Sequence, residues 1–337
     1  MKYTAGIIGL GRIGSILEDD PLRIKPHTHA GFYNVHPKID LACGCDVLPE
    51  RRTLFNQRYP NTRTYDNFQC MLRNELIDIA SISAYTKERF DMAYECAQNS
   101  VRGLWIEKPL ATSIRYAKKI NRLIKEAEMT AIVDHRRRLV PEFIAVKNII
   151  NEGRLGNLKT VHVSMTGGLM HTGTHAYDVL DFLCGDWTEI RGKLEGNFDN
   201  TDTSGFAWIS FKSGVESFIS CQKRNYYIFQ FDFQFDQGRI MLGNDICKVY
   251  GPGDSKNYSQ ITELFEQKDY PLYDHPGYSF FDDLVLSLDD PTRPVINSTQ
   301  NAMKALEMGC GIFQSSLEGG KIIHPHDIDE DLVIDSK

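Results

Sequence analysis

Apolar residues in the first 135 positions gather in short runs with few polar interruptions. Each run ends at glycine, a carboxylate or proline. Tyr3–Ile8 leads into Gly9, Ile39–Cys45 ends at Asp46, and 101–106 stops at Glu107-Lys108-Pro109; 77–83 and 130–134 are similar. Near-continuous runs of this length predict strands covered on both faces. Helical periodicity falls between them, over about 49–59, 89–99 and 114–127, with Pro49 suited to a first turn. Strand and helix in alternation predict an α/β Rossmann domain, a doubly wound parallel sheet.

Beyond about residue 150 the rhythm changes. Segments 158–165, 189–194, 204–211, 215–222 and 226–235 read as strands joined by short turns such as Lys212-Ser213-Gly214. Strands without intervening helices predict a large, mainly antiparallel open sheet, hence an α+β second domain. Helices fit 175–183, 280–288 and 299–318. The division is placed at 1–127 and 128–337. Aromatic residues alternate with polar ones from Phe229 to Phe235, giving that strand one strongly apolar face.

The chain has 337 residues, more than one hydrophobic core usually serves, which agrees with two domains. A formal net charge of −7 disfavours nucleic acid as a partner, and the run Arg136-Arg137-Arg138 is too short to reverse this. No apolar run approaches a membrane span and no signal-peptide pattern follows residues 5–10, so a cytoplasmic protein without a membrane partner is expected. The eight cysteines have irregular spacings and predict reduced, mostly buried thiols, with no metal site.

Gly9-Leu10-Gly11-Arg12-Ile13-Gly14 is a G-x-G-x-x-G loop directly after a buried strand. The first glycine suits a tight turn, the second lets backbone approach a pyrophosphate, and the third lets helix pack on strand. A helix is expected over 12–17. The acidic residue that binds the ribose should follow about 20 positions later. Asp46 ends the second strand but lies 32 positions after Gly14. Glu18-Asp19-Asp20-Pro21 breaks the helix, and helical character resumes near His29, so an insertion of about a dozen residues accounts for the delay. It is either a lid or a surface loop. Asp46 favours NAD, while Arg51 and Arg52 leave NADP open.

Glu107-Lys108-Pro109-Leu110, with the glycine loop upstream, resembles the E-K-P signature of the glucose–fructose oxidoreductase / inositol dehydrogenase / rhizopine catabolism (Gfo/Idh/MocA) family. Asp134-His135-Arg136-Arg137-Arg138-Leu139-Val140-Pro141 is similar to its N-x-x-R-R-F-x-P stretch. Glu152-Gly153-Arg154-Leu155-Gly156 and Gly173-Thr174-His175-Ala176-Tyr177-Asp178 match two further elements. The resemblance covers nearly the whole chain, with the motifs in order.

It implies a dehydrogenase or reductase that moves hydride between nicotinamide and a sugar, nucleotide-sugar or inositol-type alcohol or ketone. Ala84, Tyr85, Glu107 and Lys108 join the glycine loop, Asp46 and Arg51 around the cofactor. Hydride leaves a carbinol carbon only if the hydroxyl proton is taken up, and Lys108 at a strand's C-terminal end suits that task. His175 is the second acid–base candidate, with Thr174 and Asp178 beside it. His171 stands where many family members have aspartate, and Arg89 where many have histidine. The second domain's sheet is expected to pair subunits into a homodimer or homotetramer. Arg137 or Arg138 binds an acidic group of the substrate, or the arginines pair with carboxylates across the domain boundary. An NAD-dependent glycosidase and a non-catalytic NAD-binding sensor are the competing functions.

Overall fold

The computed structural model describes residues 2–268 and 280–336. These divide into two compact units, 2–134 with 280–303, and 135–268 with 304–336.

The first unit contains β1 (Tyr3–Ile8), α1 (His29–Val35), β2 (Ile39–Cys45), α2 (Pro49–Arg58), β3 (Arg63–Tyr65), α3 (Phe68–Asn74), β4 (Ile79–Ile82), α4 (Arg89–Gln98), β5 (Gly103–Ile106), α5 (Ile114–Glu126) and β6 (Thr130–Val133). Its parallel sheet has the order β3-β2-β1-β4-β5-β6. Apolar residues such as Ile7, Ile79, Leu104 and Trp105 are fully buried, as expected of strands covered on both faces. Strand order reverses between β1 and β4, the point outside which open α/β sheets bind ligands. Because β6 pairs with β5, this unit runs past the expected boundary at 127 to Asp134.

The helix expected over 12–17 does not form as one piece. One turn follows the glycine loop, then a short 3-10 segment, Ile16–Asp19. The His29 N–H donates to the Ile13 carbonyl at 3.0 Å and Ala30 N–H to the Gly14 carbonyl at 3.0 Å. In an uninterrupted helix residues 17 and 18 would make those bonds. His29 therefore stands in the place of residue 17, and the insertion is 29 − 17 = 12 residues. Subtracting 12 from the 32 positions between Gly14 and Asp46 leaves 20, the usual spacing. The base of the insertion is stitched down. Glu18 accepts bonds from the His27 and Thr28 N–H groups and from Thr28 Oγ1, and Arg58 pairs with Asp19. Its tip exposes Leu22 and Ile24.

The second unit opens with α6 (Pro141–Glu152), capped by Gly153 at φ 65°, and β7 (Leu158–Thr166). Then come α7 (Gly173–Cys184), β8 (Trp187–Leu194), β9 (Gly205–Phe211), β10 (Glu216–Gln222), β11 (Phe229–Phe235), β12 (Gly238–Gly243), β13 (Cys247–Asp254) and β14 (Thr262–Glu266). Farther on lie α8 (Phe280–Asp289), part of the first unit, and α9 (Thr299–Leu317), part of the second from residue 304. The second sheet has the order β14-β13-β12-β11-β7-β10-β9-β8 and is antiparallel except between β7 and β10. Phe229, Phe231 and Phe233 are buried opposite Met165, Val163 and Val161. The polar face of the sheet carries His162 stacked on the half-exposed Phe218. Gly192 lets α9 come close, since a Cβ there would run into the Ile312 backbone. All eight cysteines are free thiols, and burial pushes Cys43, Cys45, Cys96, Cys184, Cys221 and Cys310 up to about 12.

Candidate functional site

In a parallel sheet every strand delivers its C-terminal end to the same edge. That edge of the first unit carries the glycine loop after β1, Asp46 after β2, Ala84 and Tyr85 after β4, Glu107 and Lys108 after β5, and Asp134 after β6. Gly9 has φ 99°, and a Cβ on Gly14 would strike the Gly9 carbonyl, so the loop admits only glycine at both positions. Ser83 Oγ donates to that same carbonyl at 2.6 Å. Asp46 is buried and accepts the Leu10 N–H at 2.9 Å, the Leu48 N–H at 3.0 Å and Arg51 Nη1 at 3.2 Å. Arg12 and Tyr85 are exposed, and Gly11 and Ile13 are half-buried. A glycine-rich turn beside a fixed carboxylate fits a dinucleotide: Gly9 to Gly14 are the residues that would meet its phosphates, and Asp46 the one that would meet a ribose.

Glu107 is buried while Lys108, joined to Pro109 by a cis peptide, is half-buried. Arg89, one of the departures from the family pattern, is itself buried and donates to the Pro109 and Ala84 carbonyls, holding the turns after β4 and β5. Burial pushes its guanidinium down to about 10, opposed by the charge of Glu107. His29 Nε2 meets Glu107 Oε1 at 3.1 Å, and His29 Nδ1 meets Ser81 Oγ at 2.8 Å. Ser81 Oγ also meets Tyr33 Oη at 2.6 Å, and the His29 ring stacks on Trp105 at 3.7 Å. Burial pushes the Glu107 carboxyl up, and the charge of Asp134 and a hydrogen bond to it add to the effect, while His29 opposes it. Ligand atoms of His29, Glu107 and Asp134 lie within 4.8 Å of one another. Their mutual hydrogen bonds already partner these groups. Sequence reasoning sets Glu107 beside the cofactor and misses His29. Counting four residues on from Ile13 across the insertion finds it.

In the second unit Thr174 and His175 occupy the first turn of α7. Asp202 accepts the Met170 and His171 N–H groups at 2.7 Å each, fixing the turn before it. Thr174 is fully buried, His171 and His175 half-buried. Gly173 begins α7, which leaves His171 outside the helix. The ring of His175 lies edge-on to His135 at 5.6 Å and to Phe229 at 6.5 Å. Arg137 covers Phe229 at 3.9 Å. Both border a concavity of about 570 Å³ that Arg136, Asn244, Asp245 and Cys247 also line.

Arg138 is placed differently. It is buried, with Nε on Asp178 Oδ1 at 2.8 Å and Nη2 on Asp181 Oδ2 at 2.6 Å. The carboxylates that engage it belong to its own unit. Burial pushes Asp178 up to about 6 against the pull of Arg138. His135 Nδ1 lies 3.5 Å from the same carboxylate. Asp181 had no signal in the sequence beyond its apolar neighbours.

Over 164 residues the chain is 26% identical to an inositol 2-dehydrogenase of Salmonella paratyphi B. That match covers 48% of this chain and 45% of the relative, so the chain spans less than half the length of that curated relative. An uncharacterized oxidoreductase of Bacillus subtilis is 24% identical over 303 residues, 83% of this chain and 82% of its own. The crystal structure of the WlbA dehydrogenase from Bordetella pertussis, in complex with NADH and UDP-GlcNAcA, superposes with a TM-score of 0.77 at 18% identity. It covers 96% of this chain and 99% of that one. No helix among the described residues is long and apolar enough to cross a membrane. Residues 3–135 match the Gfo/Idh/MocA oxidoreductase family, which has an NAD-binding Rossmann fold.

Proposed function

We propose that this protein is an NAD(P)-dependent dehydrogenase that moves hydride between nicotinamide and a sugar, nucleotide-sugar or inositol-type alcohol or ketone. The observation that carries the proposal is the alignment of the glycine loop, Asp46 and Lys108 along one sheet edge. NAD, when bound, supplies the hydride acceptor. The chain's own task is to take up the hydroxyl proton, and we assign that to the Lys108 amine. His175 is assigned an acid–base role toward the same hydroxyl, with His171 contacting substrate. The Arg137-lined concavity of the second unit suits the part of the substrate that does not react. The bonds of Arg138 to Asp178 and Asp181 favour a bracing role for it. Pairing of two or four subunits through the uncovered sheet face, which carries Phe218, completes the proposal.

The test is a screen of inositols and nucleotide sugars with NAD and NADP, followed by Lys108→Met on any substrate found. Turnover should fall at least about a hundredfold, the scale of lost acid–base help, with NAD affinity kept. Undiminished turnover would remove the lysine from the mechanism. NAD binding without turnover of any alcohol would favour a sensor, and glycoside cleavage without net NADH a glycosidase.

A further inference from the structure

The hydrogen-bonded chain behind β5 has an order of its own. Tyr33 Oη, Ser81 Oγ, His29 and Glu107 follow one another at 2.6, 2.8 and 3.1 Å, and Glu107 then bonds to Asp134. One set of proton positions satisfies every link with a neutral imidazole. Tyr33 donates to Ser81, Ser81 donates to His29 Nδ1, and His29 Nε2–H donates to Glu107. Trp105 stacked on the ring holds its plane. Helix α1 delivers His29, because its first N–H groups take up the carbonyls of Ile13 and Gly14 across the insertion. The imidazole is thereby tied to the same helix as the dinucleotide loop.

Charge counting limits this cluster. Glu107 and Asp134 are both buried and in hydrogen-bond contact, so they hold one proton between them. The pair then carries a single negative charge, which the buried Arg89 balances. The groups facing Glu107 are His29 from α1, Asp134 after β6 and Arg89 at the start of α4, and Lys108 follows it directly in the chain.

We propose that His29 is a positioning residue: by donating to Glu107 it keeps one negative charge on the carboxyl pair behind Lys108 and so sets the lysine's proton affinity. The donated bond favours the ionised form of Glu107. Without it the pair binds a second proton more readily, the negative charge is lost, and the neighbouring ammonium is less favoured. The inference rests on the assignment of Lys108 as proton acceptor, but its measurement does not need a substrate.

The experiment is an NMR titration of full-length protein whose lysines carry ¹³C-methyl groups, with and without NAD. The Lys108 signal is identified by its loss in Lys108→Met. His29→Phe keeps a ring against Trp105 and removes both hydrogen bonds. Its Lys108 titration midpoint should fall by about one pH unit, the scale of one charge nearby. NAD affinity should stay within about threefold. His29→Gln, which can still donate, should recover more than half of the shift. A midpoint unchanged in His29→Phe overturns the proposal. Should that variant fail to fold, the double variant Glu107→Gln/Asp134→Asn removes the pair's charge directly, and an unchanged midpoint there overturns it equally. A divalent metal retained one-to-one after chelation, and lost in His29→Phe, also overturns it. If Lys108→Met turns over substrate normally while the midpoint still shifts, the catalytic assignment fails and the positioning role stands.

Discussion

Two buried clusters in this protein use nearly the same residues and do opposite things. In the first unit Glu107, Asp134, His29 and Arg89 lie together behind the sheet edge. In the second, Asp178, Asp181, His135 and Arg138 lie together beside α7. The difference is where the arginine sits. Arg138 bridges both carboxylates directly, and although burial pulls it down, Asp178 and Asp181 hold it above its usual value. Arg89 gives its donors to backbone carbonyls, so Glu107 and Asp134 must satisfy each other with a proton. In one arrangement a guanidinium bridges the two carboxyls; in the other the two carboxyls meet each other. Composition alone does not distinguish them, and the donor geometry of a single guanidinium does.

The sharpest break of this comparison is Arg138→Met. It strands two buried carboxylates and should destabilise the protein by about 3–5 kcal/mol, read from denaturant midpoints. A loss below about 1 kcal/mol would put Arg138 in the class of surface pairs and end its description as a brace. The next is pH. Asp178 is pushed up to about 6 in the folded protein, above its unfolded value. The folded state therefore binds more protons than the unfolded one between about pH 4 and 6. This carboxyl makes the protein less stable as pH rises through that window. Asp178→Asn lacks the dependence, so its stability relative to the parent should worsen from pH 7 to pH 5. A constant difference would contradict the shift. The smallest effect belongs to the other cluster. Asp134→Asn keeps a polar partner for Glu107 and leaves one carboxyl to hold the charge or the proton. Its unfolding free energy should change by under about 1 kcal/mol. A larger loss would mean that this pair, too, is a brace.

Much of the first unit was legible from the chain. Mostly apolar runs marked β1, β2, β4, β5 and β6, because strands covered on both faces leave few polar positions. The short β3 and α3 escaped, having too few residues for a period to show. In the second unit, β12 to β14 were missed because apolar and polar residues alternate only weakly along their sequences. Helix α6 was hidden behind the motif that precedes it, although Pro141 and Gly153 mark its two ends. Among site residues, Gly9 to Gly14, Asp46, Lys108 and His175 came from motifs at set spacings. His29, Arg89 and Asp181 did not, since their roles depend on what stands opposite them in space. A lone histidine at the start of a helix carries no signal until the chain is folded around it.

The twelve-residue insertion has a consequence for how this chain can be altered. The bonds from His29 and Ala30 carry helix geometry across it, so its two ends are joined whatever lies between them. Lengthening a loop between ends already held costs little chain entropy, about 0.6 kcal/mol per doubling. The exposed stretch around Leu22 and Ile24 is thus a natural port, where a peptide or a reporter can be grafted beside the dinucleotide loop without shifting its register.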